Sequence, residues 1–305
     1  MTELKEKYGR DPNYKPQNPI FQLIAGGCSS IVDVLLMQPL DVITTRLQLQ
    51  NDTITGPDHY AGMSDAFRKI YRKEGLTAFW RGLVPVLVID TPKRSIKFLV
   101  FDQSKPLFMF GAPWPSPPTY AFAGGLGGIV EALIQNPFEI IKITQQASRE
   151  KLPSIQVAQK IIQNQGYGRH GLYRGMPTMV ARNFVFNVIY FGSYWSVRDA
   201  TPTCQRPLTE FLRNFSIACA ASLVSCVASL PLDIVKTRIQ GPQPVPGKVK
   251  YSGTLSTVLQ ICREEGWKAL YKGLLPVTIR MVPGGAILLI GYEYIIKFLV
   301  SKYNK

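Results

Sequence analysis

This 305-residue sequence predicts an all-helical membrane protein with six transmembrane helices, built as three pseudosymmetric two-helix repeats. Three observations point there. Two unrelated motifs each recur three times at one common period, close to a third of the chain. Every copy opens with an apolar, small-residue-rich stretch of about 18 residues, near the ~20 that cross a bilayer core. Every copy closes with a second apolar stretch carrying more charge than lipid tolerates on all sides, so those charges face a protein interior or a watery cavity.

Composition excludes the main alternatives. Hydrophobic residues make up 46% of the chain, too many for a disordered protein. Glycine numbers 25 without a period, and cysteine only 5, which removes collagen-like and disulfide-rich classes. A mean hydropathy of +0.04 is low for a multi-pass protein but is compatible with spans that line a polar cavity. The net charge of +15 raises a soluble nucleic-acid binder as a rival; the apolar spans and the repeat argue against it, and no nucleic-acid partner is expected. Cys28, Cys204, Cys219, Cys226 and Cys262 include no CxxC pair and only 2 histidines accompany them, so they read as buried, inert thiols and no metal site is expected. The start, MTELKEKYGRDPNYKPQNP, lacks the apolar core of a secretory signal and the Arg/Ser bias of a transit peptide.

The first motif reads QPLDVITTRLQLQ, NPFEIIKITQQ and LPLDIVKTRIQ in turn, with Pro39/Asp41/Gln48, Pro137/Glu139/Gln146 and Pro231/Asp233/Gln240 in register. Its prolines lie 98 and 94 residues apart. Polar residues continue at helical spacing beyond each proline, so the helix runs through it and kinks. Gly124 and Gly128, with Ala218, Ala221 and Ser222 in the third copy, allow close helix contact. A basic segment follows, such as GMSDAFRKIYRKEG, in which Met63, Phe67 and Ile70 fall near one face and suit a helix lying at a membrane surface. The second motif then ends in an aromatic residue, a base and Gly: Trp80-Arg81-Gly82, Tyr173-Arg174-Gly175 and Tyr271-Lys272-Gly273. The implied division is a tail over 1–17 and repeats over 18–112, 113–205 and 206–305. An even number of spans puts both termini on one side, and the basic loops on the other.

These triplicated Pro-x-acid motifs, each followed by an aromatic-base-Gly element, resemble the mitochondrial carrier family across nearly the whole chain. The resemblance implies a six-helix bundle in the mitochondrial inner membrane, alternating access by a single-site exchanger, and termini toward the intermembrane space. No enzyme activity and no cofactor are implied. DTPKRSIKF, ARNFVFNVIYFG, GPQPVPGKVKY and YKGLLPVTIRMVPGGAILL resemble the branch of that family that exchanges 2-oxodicarboxylates. Small-molecule substrates of that class, 2-oxoadipate and 2-oxoglutarate, are therefore implied, in a lipid bilayer with cardiolipin at the matrix-side helix ends.

The resemblance also assigns roles. A matrix gate would pair Asp41 with Lys142 and Glu139 with Lys236 around one axis, braced by Gln48, Gln146 and Gln240. The first copy has Thr44 where a base belongs, so Asp233 lacks its cyclic partner and the gate is expected to be weakened. A cytoplasmic gate would use Asp102, Lys105, Arg198, Glu293 and Lys297, with Trp195 replacing the middle acid. The substrate site would comprise Arg182 and Asn183 on the fourth span and Arg280 on the sixth, with Lys93 one turn beyond Ile89 on the second. Arg gives a carboxylate a planar, two-pronged partner, and Asn183 is suited to the keto oxygen. Snorkelling or network pairing is the plainer role for Arg94 and Lys97. Asp33 and Glu131, each six residues before a motif proline, are candidates for tuning cavity charge or carrying a coupled proton. Citrate or oxoglutarate/malate exchange, and a non-transporting uncoupling or scaffold role, are the rivals within the fold.

Overall fold

The computed structural model describes residues 19–50, 59–109, 115–148, 152–202, 207–243 and 250–280, and positions 284, 287, 291, 294, 295 and 298 beyond them. Long and short helices alternate in a thrice-repeated order. They are α1 (Pro19–Leu49), α2 (Met63–Glu74), α3 (Leu83–Ser104), α4 (Pro117–Ala147), α5 (Ser154–Gln165), α6 (Met176–Ala200), α7 (Pro207–Gln240) and α8 (Thr254–Glu264). A ninth, α9, is helical over 274–280 and at the isolated positions after it. No strand occurs among the described residues. By length and apolarity alone, Cys28–Leu49 and Thr209–Gln240 are each able to cross a membrane.

Of the long helices, the first, third and fifth (α1, α4 and α7, the odd-numbered spans; α3, α6 and α9 are the even-numbered) pass through their prolines as the sequence predicts: Pro39, Pro137 and Pro231 all lie inside helices. Proline has no N–H, so the carbonyl four residues earlier loses its helical donor. In α1 that carbonyl belongs to Leu35, and the indole N–H of Trp80 reaches it at 3.0 Å. The residue before the proline ties the turn further: Gln38 donates to the Arg81 carbonyl and Asn136 to that of Leu172, both at 2.9 Å.

In the bundle, α4 packs between α3 and α6, α6 between α4 and α7, and α1 meets α3, α4 and α7. Missing side chains make the α4–α6 approach possible. A Cβ on Gly124 would sit 2.3 Å from the Phe191 ring, and one on Gly128 would sit 2.5 Å from Asn187. The short helices pack against the ends of α1, α4 and α7 through small separate cores, for instance Ile43, Ala66, Ile70, Ala78 and Phe79. Phe67 is 46% exposed, yet its ring stacks on Phe79 at 4.8 Å, so it covers the rim of this core. The thiols are less uniform than the sequence suggests. Cys226 is buried, but Cys28 is exposed, because it falls on the outward face of α1 beside Ile31 and Val32.

The aromatic-base-Gly element locks one repeat to the next. Gly82, Gly175 and Gly273 have φ of 77°, 69° and 83°, a left-handed conformation that other residues resist. Each also lies where an added Cβ would meet the motif glutamine of the following repeat, in cyclic order: Gln146 at Gly82, Gln240 at Gly175 and Gln48 at Gly273. The bases beside them cap the final carbonyls of the same helices. Arg81 donates to the Ser148 carbonyl at 2.6 Å, and Arg174 to those of Gln240 and Gly241 at 2.6 and 2.9 Å. Arg46 and Arg238 add bonds to the Gln146 and Gln48 carbonyls at 2.9 and 3.1 Å. Cations at helix C-termini satisfy orphan carbonyls and complement the dipole.

Two buried acids hold these cations in place. Glu74 pairs with Arg46 and Arg81, and Glu265 with Arg238 and Lys272. Burial alone would raise both carboxyls; the hydrogen bonds and charge of the bound cations outweigh it and hold both below the ordinary carboxylate range. The middle copy has Gln165 instead, which accepts from Arg174 at 3.2 Å.

A carboxylate held low adds stability that is complete above its unfolded pKa and is lost as pH falls through the lowered one. The thermal midpoint in detergent should therefore fall in acid, from below roughly pH 4. Glu265→Gln should flatten that acid limb while destabilising the neutral protein by about 3–5 kcal/mol, since buried cations lose their partner. An acid limb of unchanged slope would contradict this. Gly175→Ala should lower the midpoint by about 1–2 kcal/mol equivalent from backbone strain alone, read in the same thermal scan.

Candidate functional site

The proline-containing helices bring the motif acids to one cavity. Asp41, Glu139 and Asp233 stand two residues past the prolines of α1, α4 and α7. Lys142 lies 3.3 Å from Asp41 and Lys236 lies 2.9 Å from Glu139, so two links of a cyclic ring are formed, α1 to α4 and α4 to α7. The third link, α7 to α1, has no lysine. Thr44 stands in its place, and its hydroxyl donates back to the Leu40 carbonyl of its own helix at 2.7 Å.

Asp233 is nonetheless paired. Arg182 of α6 faces it, with Nε 2.7 Å from Oδ1 and Nη2 donating to Oδ2 at 3.1 Å. The guanidinium is held there by Asn183, whose Oδ1 accepts from Nη1 at 3.1 Å, and by the Phe186 ring 5.0 Å away. Arg280 of α9 likewise reaches Asp41 at 2.9 Å. Lys93 of α3 pairs with Asp90 at 2.8 Å, and the Ser30 hydroxyl donates to the same carboxylate.

These groups line one cavity of about 250 Å³. Lys93, Arg182, Asn183 and Arg280 enter it from three even-numbered spans, together with the acids and lysines of the proline motifs, and Ile89 adds apolar wall. All four residues proposed for substrate contact thus converge. Such a cavity offers two guanidiniums, each able to take one carboxylate of a small dianion in exchange for its present acid. Among the described residues, no group of acids, cysteines and histidines is arranged to hold a metal.

The glutamines of the motif make a different set of bonds from the gate pairs. Thr237 donates to Gln48 at 2.9 Å, Thr45 to Gln146 at 2.7 Å, and Gln240 donates to Asn136 at 2.7 Å. Each bond joins neighbouring odd helices next to the ion pairs. At the far end of the bundle, Lys105 sits over the Phe101 ring at 4.5 Å, and Arg198 over the Trp195 ring at 4.6 Å. Trp195, which replaces an acid, stacks on Tyr120 at 4.1 Å and gives Arg198 a π-face instead of a carboxylate. The side chains of Asp102, Glu293 and Lys297 lie outside the described residues, as does that of Arg94.

Sequence reasoning missed four ion pairs, among them that of Arg280 with Asp41. Asp90 precedes Lys93 by three residues, one helical turn, a spacing that could have revealed it. Glu131 pairs across helices with Lys97 at 3.3 Å, and Arg182 with Asp233, and nothing local marks either.

If pairing is what holds the ring, charge reversal at one member should destabilise and reversal at both should recover. Lys236→Glu and Glu139→Lys should each cost about 3–5 kcal/mol. The double variant should regain most of it in thermal melts; a double loss equal to the sum of the two single losses would show that the two side chains do not interact.

The sequence profile of the family described as Mitochondrial carrier protein matches three times, over 15–111, 113–203 and 208–303. The chain is 43% identical over 286 residues to the mitochondrial 2-oxodicarboxylate carrier of Bos taurus, covering 92% of this chain and 95% of that one. It is 34% identical over 298 residues to mitochondrial 2-oxodicarboxylate carrier 2 of Saccharomyces cerevisiae, covering 94% and 96%. Mitochondrial citrate transporter D of Aspergillus niger is also 34% identical over 298 residues, covering 94% and 97%.

Proposed function

The chain belongs to the mitochondrial carrier family, and from that membership we propose that it exchanges 2-oxodicarboxylates, 2-oxoadipate against 2-oxoglutarate, across the mitochondrial inner membrane. The observation that carries this reading is the convergence of Arg182, Arg280 and Lys93 on one small cavity between the pseudosymmetric spans. Two guanidiniums take the two carboxylates of the substrate. Lys93 adds a third cation and Asn183 a polar contact for the keto oxygen. The pairs Asp41–Lys142 and Glu139–Lys236 keep the matrix side closed until substrate arrives. The names of the relatives at 43% and 34% identity support the substrate class.

On this reading the termini face the intermembrane space and the basic short helices face the matrix. Lipid, including cardiolipin, surrounds the bundle. Its phosphates would sit in the two grooves at the matrix-side helix ends, one lined by Arg81 and Ser154 and the other by Arg174 and Thr254. The citrate transporter name at 34% identity makes a tricarboxylate the second substrate to assay.

Liposomes loaded with 2-oxoglutarate should take up labelled 2-oxoadipate, and only when loaded. Arg182→Ala and Arg280→Ala should each lower uptake by about 10–100-fold, the loss of a charged hydrogen bond. Citrate uptake without 2-oxoadipate uptake would keep the family and overturn the substrate.

A further inference from the structure

We propose that Arg182 is shared between substrate and gate: it is the third arm of the matrix gate, and that arm opens when a substrate carboxylate takes Arg182 from Asp233. The proposal rests on the exchange reading above and gives one of its binding residues a second task.

The argument begins at a break in the repeat. Thr44, Lys142 and Lys236 occupy the same place, five residues past their prolines. Two of them are cations that bridge to the acid of another odd helix. The third is neutral, and its hydroxyl is bonded within α1. Asp233 is therefore left without a lysine from α1, and a carboxylate in such a place needs a cation. Arg182 supplies it from a helix that contributes no gate residue in the motif.

The other arginine differs in a way that gives the gate an order of events. Asp41 has two cations, Arg280 at 2.9 Å and Lys142 at 3.3 Å. When substrate takes Arg280, Asp41 keeps Lys142. Asp233 has Arg182 as its described cation from another helix. When substrate takes Arg182, the α6–α7 link is broken and the Asp233 carboxylate must find water. The joint between α7 and α1 already carries no lysine bridge and is spanned by bonds such as Thr237 to Gln48 and Arg238 to the Gln48 carbonyl, so release of Asp233 frees α7 beside the ring's weakest joint. One exchange of carboxylates at one guanidinium thus couples occupancy to opening at a defined place in the ring.

Two variants test this without removing Arg182. Thr44→Lys supplies Asp233 with a lysine, and Asp233→Asn removes the competing charge. Both should free the guanidinium. The first readout needs no substrate: modification of Arg182 by phenylglyoxal, followed by mass spectrometry of the purified protein in detergent, should be several-fold faster in both variants. The second readout is affinity for 2-oxoglutarate, which should tighten by about tenfold in both. Turnover should fall in Thr44→Lys, whose ring has three lysine arms, while Asp233→Asn should leak substrate without counter-exchange. Unchanged phenylglyoxal kinetics in both variants would overturn the shared arginine. Faster modification with no change in affinity would overturn the competition, provided the unaltered protein binds 2-oxoglutarate. If the unaltered protein does not bind it, the substrate reading fails, and the modification rates still decide whether Asp233 holds Arg182.

Discussion

Charge inside a membrane-embedded bundle must be paired within the bundle, because lipid offers no counter-ion and burial penalises a lone charge. That constraint organises this molecule. The cavity is lined by Lys93, Lys142, Arg182, Lys236 and Arg280 against Asp41, Asp90, Glu139 and Asp233. All nine are in ion pairs, so the cavity is not a bed of free positive charge waiting for an anion. An entering dianion must exchange with carboxylates already present. Under the proposed sharing of Arg182, binding and unlocking are the same event seen from two sides, which is the behaviour an exchanger requires.

The frame that sets these distances is the cyclic contact between repeats. A left-handed glycine lets the start of each even-numbered span approach the glutamine of the next repeat, and the adjacent base caps that helix. Where a copy departs from the pattern, a specific substitute appears. Gln165 replaces an acid and accepts from Arg174. Trp195 replaces another and receives Arg198 on its ring. Thr44 replaces a base, and Arg182 takes over its acid. The pseudosymmetry is therefore kept in the backbone while the chemistry differs from copy to copy.

Much of this was legible in the sequence because it is local. A proline followed two residues later by an acid, in all three copies, and an acid followed three residues later by a base, in two of them, are separations within one helical turn. The helices run through Pro39, Pro137 and Pro231 as their spacing predicts, and Arg182, Asn183, Arg280 and Lys93 share one cavity. What was not legible depends on contacts between helices. Nothing near Asp233 indicates that Arg182, 51 residues earlier, faces it. The bonds of Gln48, Gln146 and Gln240 to Thr237, Thr45 and Asn136 depend on how the odd helices are rotated. The exposure of Cys28 depends on which side of α1 meets its neighbours, and an apolar residue looks the same facing lipid or core.

The pair on which the account turns is best tested by a double-mutant cycle on thermal stability in detergent, using Arg182→Ala, Asp233→Ala and the double variant. A shared ion pair predicts that the double variant loses much less than the two single losses together, with a coupling of about 0.5–3 kcal/mol. Additive losses would mean that Arg182 and Asp233 do not hold each other, and the third arm of the gate would have to be sought elsewhere.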